Sequence, residues 1–145
     1  MEFKTILLVE DNPRDAELTL EALKENNFAN EIIWVKDGEE AMEYLTYSGR
    51  YVDRKLSMPM VVLLDLKMPK MDGIEMLSAI RKNPQLKHLP VVMLTTSRQE
   101  EDLVRSYDSG VNAYVVKPVD LIEFIDAIKE LGMFWVVINE APRKH

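Results

Sequence analysis

Val61-Val62-Leu63-Leu64-Asp65-Leu66-Lys67-Met68-Pro69-Lys70-Met71-Asp72-Gly73 is the stretch that decides the fold. Its apolar start reads as a strand buried on both faces, the pattern of a parallel sheet. The run ends on one carboxylate, Asp65, and then reaches the turn-forming Pro69 and Asp72-Gly73 before a helix begins. A charge at the carboxyl end of a buried strand loses solvation, yet that edge is where open α/β sheets hold ligands. Taken alone, Asp65 is equally well explained as an acid capping a loop.

Outward from this stretch the same unit recurs. Ile6-Leu7-Leu8-Val9 is an apolar run ending on Glu10 and Asp11, and Asn12-Pro13 then supplies an N-cap and a first helical residue. Ala16, Leu20 and Leu23 follow at helical spacing. Ile32–Val35 is a second short strand, with a helix from about Glu39 to Tyr47 behind it. Residues 48–58 lapse into Gly, Tyr, Asp, Arg and Lys, which reads as an extended surface connection. Beyond Gly73, Ile74, Leu77 and Ile80 mark a third helix that stops at Asn83-Pro84. A fourth strand, Val91–Leu94, ends on Thr95, Thr96 and Ser97. Leu103, Val104 and Tyr107 mark a fourth helix closing at Gly110. The fifth strand, Ala113–Val116, ends at Lys117-Pro118, and a fifth helix carries Leu121, Phe124, Ile125, Ile128 and Leu131. Strands and helices in strict alternation predict an α/β fold, a doubly wound five-stranded parallel sheet in a single domain over 1–131, with a tail over 132–145.

Composition narrows the partners. A formal charge of −7 over 145 residues argues against nucleic acid, whose phosphates need a clustered basic face. With no cysteine, disulfides, thiolate catalysis and Cys-based metal sites are all excluded. The N-terminus enters a strand pattern almost at once, and no apolar stretch approaches ~18 residues, so neither a signal peptide nor a membrane span is expected. The expected location is the cytoplasm.

All strand carboxyl ends of a parallel sheet share one edge, and here that edge collects Glu10, Asp11, Asp65, Thr95 and Lys117. Three carboxylates in one crevice repel unless a cation sits among them, and oxygen-only ligands suit Mg2+. A lysine and a hydroxyl beside them suit phosphoryl oxygens. The combination points to phosphoryl transfer, with Asp65 as the nucleophile that forms an acyl phosphate. His88 lies in a loop and His145 ends the chain, so no serine–histidine pairing competes.

The segments Leu8-Val9-Glu10-Asp11-Asn12, Leu64–Pro69, Met71-Asp72-Gly73, Leu94-Thr95-Thr96 and Tyr114-Val115-Val116-Lys117-Pro118, in this order, resemble a receiver domain of a two-component response regulator. The resemblance runs from about Lys4 to Leu131 and implies a flavodoxin-like arrangement of five strand–helix units. It implies that Asp65 accepts a phosphoryl group from a histidine kinase. Mg2+ would be held by Glu10, Asp11, Asp65 and the main-chain carbonyl of Lys67. Lys117 would contact the phosphoryl group, across a cis bond to Pro118. Thr95 and Tyr114 resemble the switch pair, which biases the surface of the fourth helix, fifth strand and fifth helix for a downstream protein. On residue pattern alone, Thr95 reads equally as a helix cap and Tyr114 as a packing aromatic.

Glu10 stands where many receivers have Asp, which keeps the carboxylate. The longer interval from Asp11 to Asp65, together with the tail, resembles the small regulators paired with phytochrome-type kinases. In that tail Met133-Phe134-Trp135-Val136-Val137-Ile138 either folds back on the domain or buries against a second subunit, and a symmetric homodimer is one expectation. Three other readings fit less well. An aspartyl-phosphate phosphatase needs an acid two residues after the nucleophile, where this chain has Lys67. Flavin-type cofactor binding needs a Ser/Thr/Gly-rich loop after the first strand, which is absent. A receiver-like binding module that is never phosphorylated runs against the intact acids, Thr95 and Lys117.

Overall fold

The computed structural model describes residues 5–25, 31–55, 57–68, 71–97, 99 and 113–130. Five strands, β1 (Thr5–Val9), β2 (Glu31–Val35), β3 (Val61–Asp65), β4 (Val91–Thr95) and β5 (Ala113–Val116), form one sheet in the order β2-β1-β3-β4-β5. Every pairing is parallel, with Val9 beside both Val35 and Leu64, and Asp65 beside Leu94. The doubly wound expectation therefore holds, and the order reverses at β1/β3, where such sheets open a crevice.

Alternate residues of the central strands feed two cores, which is why their sequences show no polar alternation. Leu7, Val9, Val62, Leu64, Val91 and Met93 face α2 (Gly38–Thr46) and α3 (Gly73–Lys82). Ile6, Leu8, Val61, Leu63, Val92 and Leu94 face α1 (Pro13–Glu25) and the last described helix, Leu121–Glu130. Burial of each such aliphatic side chain contributes about 1.5–3 kcal/mol, so the centre of the sheet carries much of the described core's stability. The edge strand β2 is thinner cover: Glu31 is exposed and Trp34 keeps 36% of its surface.

The helix starts follow from their caps. Asn12 Oδ1 accepts from the N–H groups of Arg14 and Asp15 at 2.8 and 3.1 Å, and α1 begins at Pro13. Asp72 and Glu75 form a reciprocal capping box at α3. Gly73, its first residue, is seated so close to the end of β3 that an added Cβ would stand 2.6 Å from the Asp65 carbonyl oxygen. Only glycine allows α3 to abut Asp65 in this way.

The 48–58 segment lies at the surface but is not the extended connection its composition suggests. It contains a 3-10 turn, Gly49–Tyr51, and folds back on α2. The Arg54 guanidinium lies 3.7 Å from the Tyr44 ring centre and 4.1 Å from that of Tyr47. Its Nε donates to the Tyr44 carbonyl at 2.8 Å, and Tyr51 donates its hydroxyl proton to Glu40 at 2.6 Å. A cation stacked on aromatic faces organises a loop that has no periodicity to advertise it. The expected fourth helix around 103–110 and the tail over 132–145 lie outside the described residues.

Candidate functional site

Three strand ends meet at the crevice. β1 delivers Glu10 and Asp11, β3 delivers Asp65, and the turn after β5 delivers Lys117. Glu10 is fully buried, Asp65 is buried at 3% exposure, and Asp11 is exposed. One carboxylate oxygen from each acid lies within 4.8 Å of the others. This donor set, hard oxygens only and one side open to solvent, fits an oxygen-seeking divalent cation that retains water.

Lys117 closes the site. Its Nζ lies 3.1 Å from Glu10 Oε1, 3.1 Å from Asp65 Oδ1 and 2.9 Å from Asp15 Oδ2. The side chain is only 11% exposed, so this ion-pair network sits in low dielectric rather than in bulk water. The backbone holds the lysine there: Lys117 N–H donates to the Thr95 carbonyl at 2.7 Å, and the bond to Pro118 is cis.

The acids outnumber the lysine, and the titrations reflect it. Burial, and next the neighbouring Glu10 charge, push Asp65 up to about 7, with Lys117 offsetting part of the effect. Burial alone would lower Lys117, but Asp15, Asp65 and Glu10 more than reverse that and leave the ammonium firmly protonated. Partial burial of several carboxylates around one cation is a poor arrangement for stability. It is a suitable one for accepting a second cation and a phosphoryl group.

Two contacts at the site escaped the sequence. Asp15 sits on the first turn of α1, three residues after the Asn12 cap, where an acid is ordinarily explained by the helix dipole. Its grip on Lys117 is a long-range contact with no local signature. Trp34, on the neighbouring strand β2, donates its indole proton to the Glu10 carbonyl at 2.7 Å and so tethers the acidic turn.

Both expected switch residues are placed by the sheet, Thr95 at the end of β4 and Tyr114 within β5. Thr95 is fully buried and donates its hydroxyl to the Ser97 carbonyl at 3.3 Å, the local contact of a loop-starting residue. Tyr114 is partly buried and packs against the core on the α2–α3 face. Lys67 lies in the turn after β3, beside the acids in sequence and exposed at its side chain.

Residues 6–129 match the family profile of the response regulator receiver domain. Among curated proteins, the response regulator Rcp1 of Synechocystis sp. (strain ATCC 27184 / PCC 6803 / Kazusa) is 41% identical over 139 residues, covering 96% of this chain and 93% of the relative. A crystal structure of the Mn2+-bound form of Rcp1 superposes with a TM-score of 0.70 at 42% identity, over 91% of this chain and 94% of that one. The bacteriophytochrome response regulator RtBRR gives a TM-score of 0.89 at 52% identity, over 98% of this chain and 86% of the other. The phosphorylated cyanobacterial phytochrome response regulator RcpA gives 0.73 at 43% identity, over 93% and 95%.

Proposed function

The chain belongs to the response regulator receiver domain family, and from that premise we propose that Asp65 is its phosphoacceptor, charged by a histidine kinase in a Mg2+-dependent reaction. The observation that carries this reading is the placement of Asp65: buried at the end of β3, clustered with Glu10 and Asp11, and 3.1 Å from the Lys117 ammonium. An Asp65 oxygen attacks phosphorus, the bond from phosphorus to the donor imidazole nitrogen breaks with its electron pair returning to nitrogen, and an acyl phosphate remains. Lys117 then pairs with the phosphoryl oxygens. Glu10, Asp11, Asp65 and the main-chain carbonyl of Lys67 would hold Mg2+, whose charge offsets that gathering on the phosphoryl group. That the similar Rcp1 has a Mn2+-bound form supports divalent-cation binding by this chain.

The protein's output is an interaction surface rather than a turnover product, although the same pocket assists its own phosphorylation and dephosphorylation. Thr95 exchanges its Ser97 contact for a phosphoryl oxygen, and Tyr114 follows it inward. The change is read by a downstream protein at β5 and the flanking helices. Similarity to phytochrome and bacteriophytochrome response regulators supports a phytochrome-type kinase as donor. Among the described residues no helix is long and apolar enough to cross a membrane, in keeping with a cytoplasmic setting. The receiver domain spans 1–131, and the tail over 132–145, which lies outside the described residues, would either pack on its own domain or join the fifth helix in a symmetric homodimer. Sedimentation of the full chain and of a form truncated after Gly132 tests the pairing; identical monomer masses at micromolar concentration end it.

The phosphoacceptor is tested by incubating wild type and Asp65→Asn with Mg2+ and acetyl phosphate and comparing intact masses. Wild type is expected to gain one hydroxylamine-sensitive phosphoryl group and the variant none. Equal labelling of both removes Asp65 from the role. A wild type that stays unlabelled favours a binding module that is not phosphorylated.

A further inference from the structure

The Lys117 ammonium lies within 3.1 Å of three carboxylates and donates hydrogen bonds to two of them, Glu10 and Asp15. Two partners, Glu10 and Asp65, belong to the acid cluster; the third, Asp15, does not. Yet Asp15 makes the shortest contact, 2.9 Å against 3.1 Å for the other two. Its side chain is 36% exposed, and with Lys117 it borders a cavity of about 250 Å³ lined also by Leu18, Thr19, Thr96 and Pro118. The ammonium therefore has both a holding point on α1 and space in which to move.

We propose that Asp15 is a positioning residue that draws Lys117 toward α1, easing entry of a divalent cation among the acids while competing with the phosphoryl group for the same ammonium. The proposal rests on the phosphoacceptor reading above. It carries two effects of opposite sign. Without the Asp15 charge, Lys117 leans fully on Glu10 and Asp65, and an incoming cation must displace it from both. A phosphoryl oxygen at Asp65, by contrast, meets a lysine with one competitor fewer.

Calorimetric titration separates them, first with Mg2+ alone and then with beryllofluoride at saturating Mg2+. Asp15→Asn is expected to bind Mg2+ about three- to tenfold more weakly and beryllofluoride about three- to tenfold more tightly, the scale of one partly screened charge contact. Asp15→Glu, which keeps the carboxylate, returns both within about twofold. Glu17→Gln removes the same charge from an exposed site on the same helix and is expected to alter neither affinity. A merely structural role would weaken both affinities together in Asp15→Asn; that result, no change, or a change in one alone overturns the proposal. A wild type that binds neither probe overturns the phosphoacceptor reading and this proposal with it. A wild type that binds both, beside an unaltered Asp15→Asn, overturns this proposal only.

Discussion

Two regions of the molecule set basic side chains among acids and aromatics, to opposite ends. At the crevice, Lys117 is nearly enclosed by Glu10, Asp15 and Asp65. On the far side of α2, Arg50 pairs with Glu43 at 2.8 Å while half exposed, and Arg54 is stacked on Tyr44 and Tyr47. The second region is paired except for Arg54 Nη2, which is buried without a hydrogen-bond partner among the described residues; burial and Glu40 hold the Tyr51 hydroxyl up at about 12, so it stays a donor at any physiological pH. The first is short of positive charge. Similar ingredients thus fasten a loop when partners balance in water, and make a receptive site when they are unbalanced in a buried crevice.

The largest expected break in this contrast is Lys117→Met. It leaves three clustered carboxylates without a cation and is expected to cost about 3–5 kcal/mol in urea unfolding with chelator present. Millimolar Mg2+ should restore most of that loss; an unchanged midpoint in chelator would mean the lysine is not compensating the acids. Asp65→Asn comes next. A carboxyl raised to about 7 in the folded chain binds its proton more tightly there than when unfolded. Its contribution is therefore full below about pH 4 and is lost as pH rises through the folded value. In chelator above pH 7 the variant is expected to be more stable than wild type by about 1–3 kcal/mol, with the gap closing toward pH 4. Parallel pH profiles for the two proteins would contradict this.

On the opposite side the effects shrink. Arg54→Ala is expected to lose about 1–2 kcal/mol through its ring stacking and its bond to the Tyr44 carbonyl, with acetyl phosphate labelling at the wild-type rate. Slowed labelling would tie the two regions together. Arg50→Ala is expected to leave the unfolding midpoint unmoved, since Glu43 and Arg50 attract each other through solvent.

The same contrast explains what was readable beforehand. Buried strands announce themselves as Ile6–Val9, Val61–Leu64 and Val91–Leu94, and the rule that parallel strands share a ligand edge places Glu10, Asp11, Asp65 and Lys117 together before any coordinates. Asp15 stayed hidden because an acid in a helix's first turn needs no further explanation. Arg54 stayed hidden because ring stacking across a non-repetitive loop leaves no period to detect. Thr95 was legible as a strand-end hydroxyl, but its Ser97 partner depends on a turn whose path the sequence does not dictate.

Trp34 has a practical consequence. Its indole is at once partly open to solvent and tethered to the Glu10 main chain, so the protein carries a built-in optical gauge on its acidic turn. With Trp135 replaced by Phe, emission from Trp34 should shift whenever cation loading or phosphoryl arrival tugs that carbonyl, giving a label-free signal in real time.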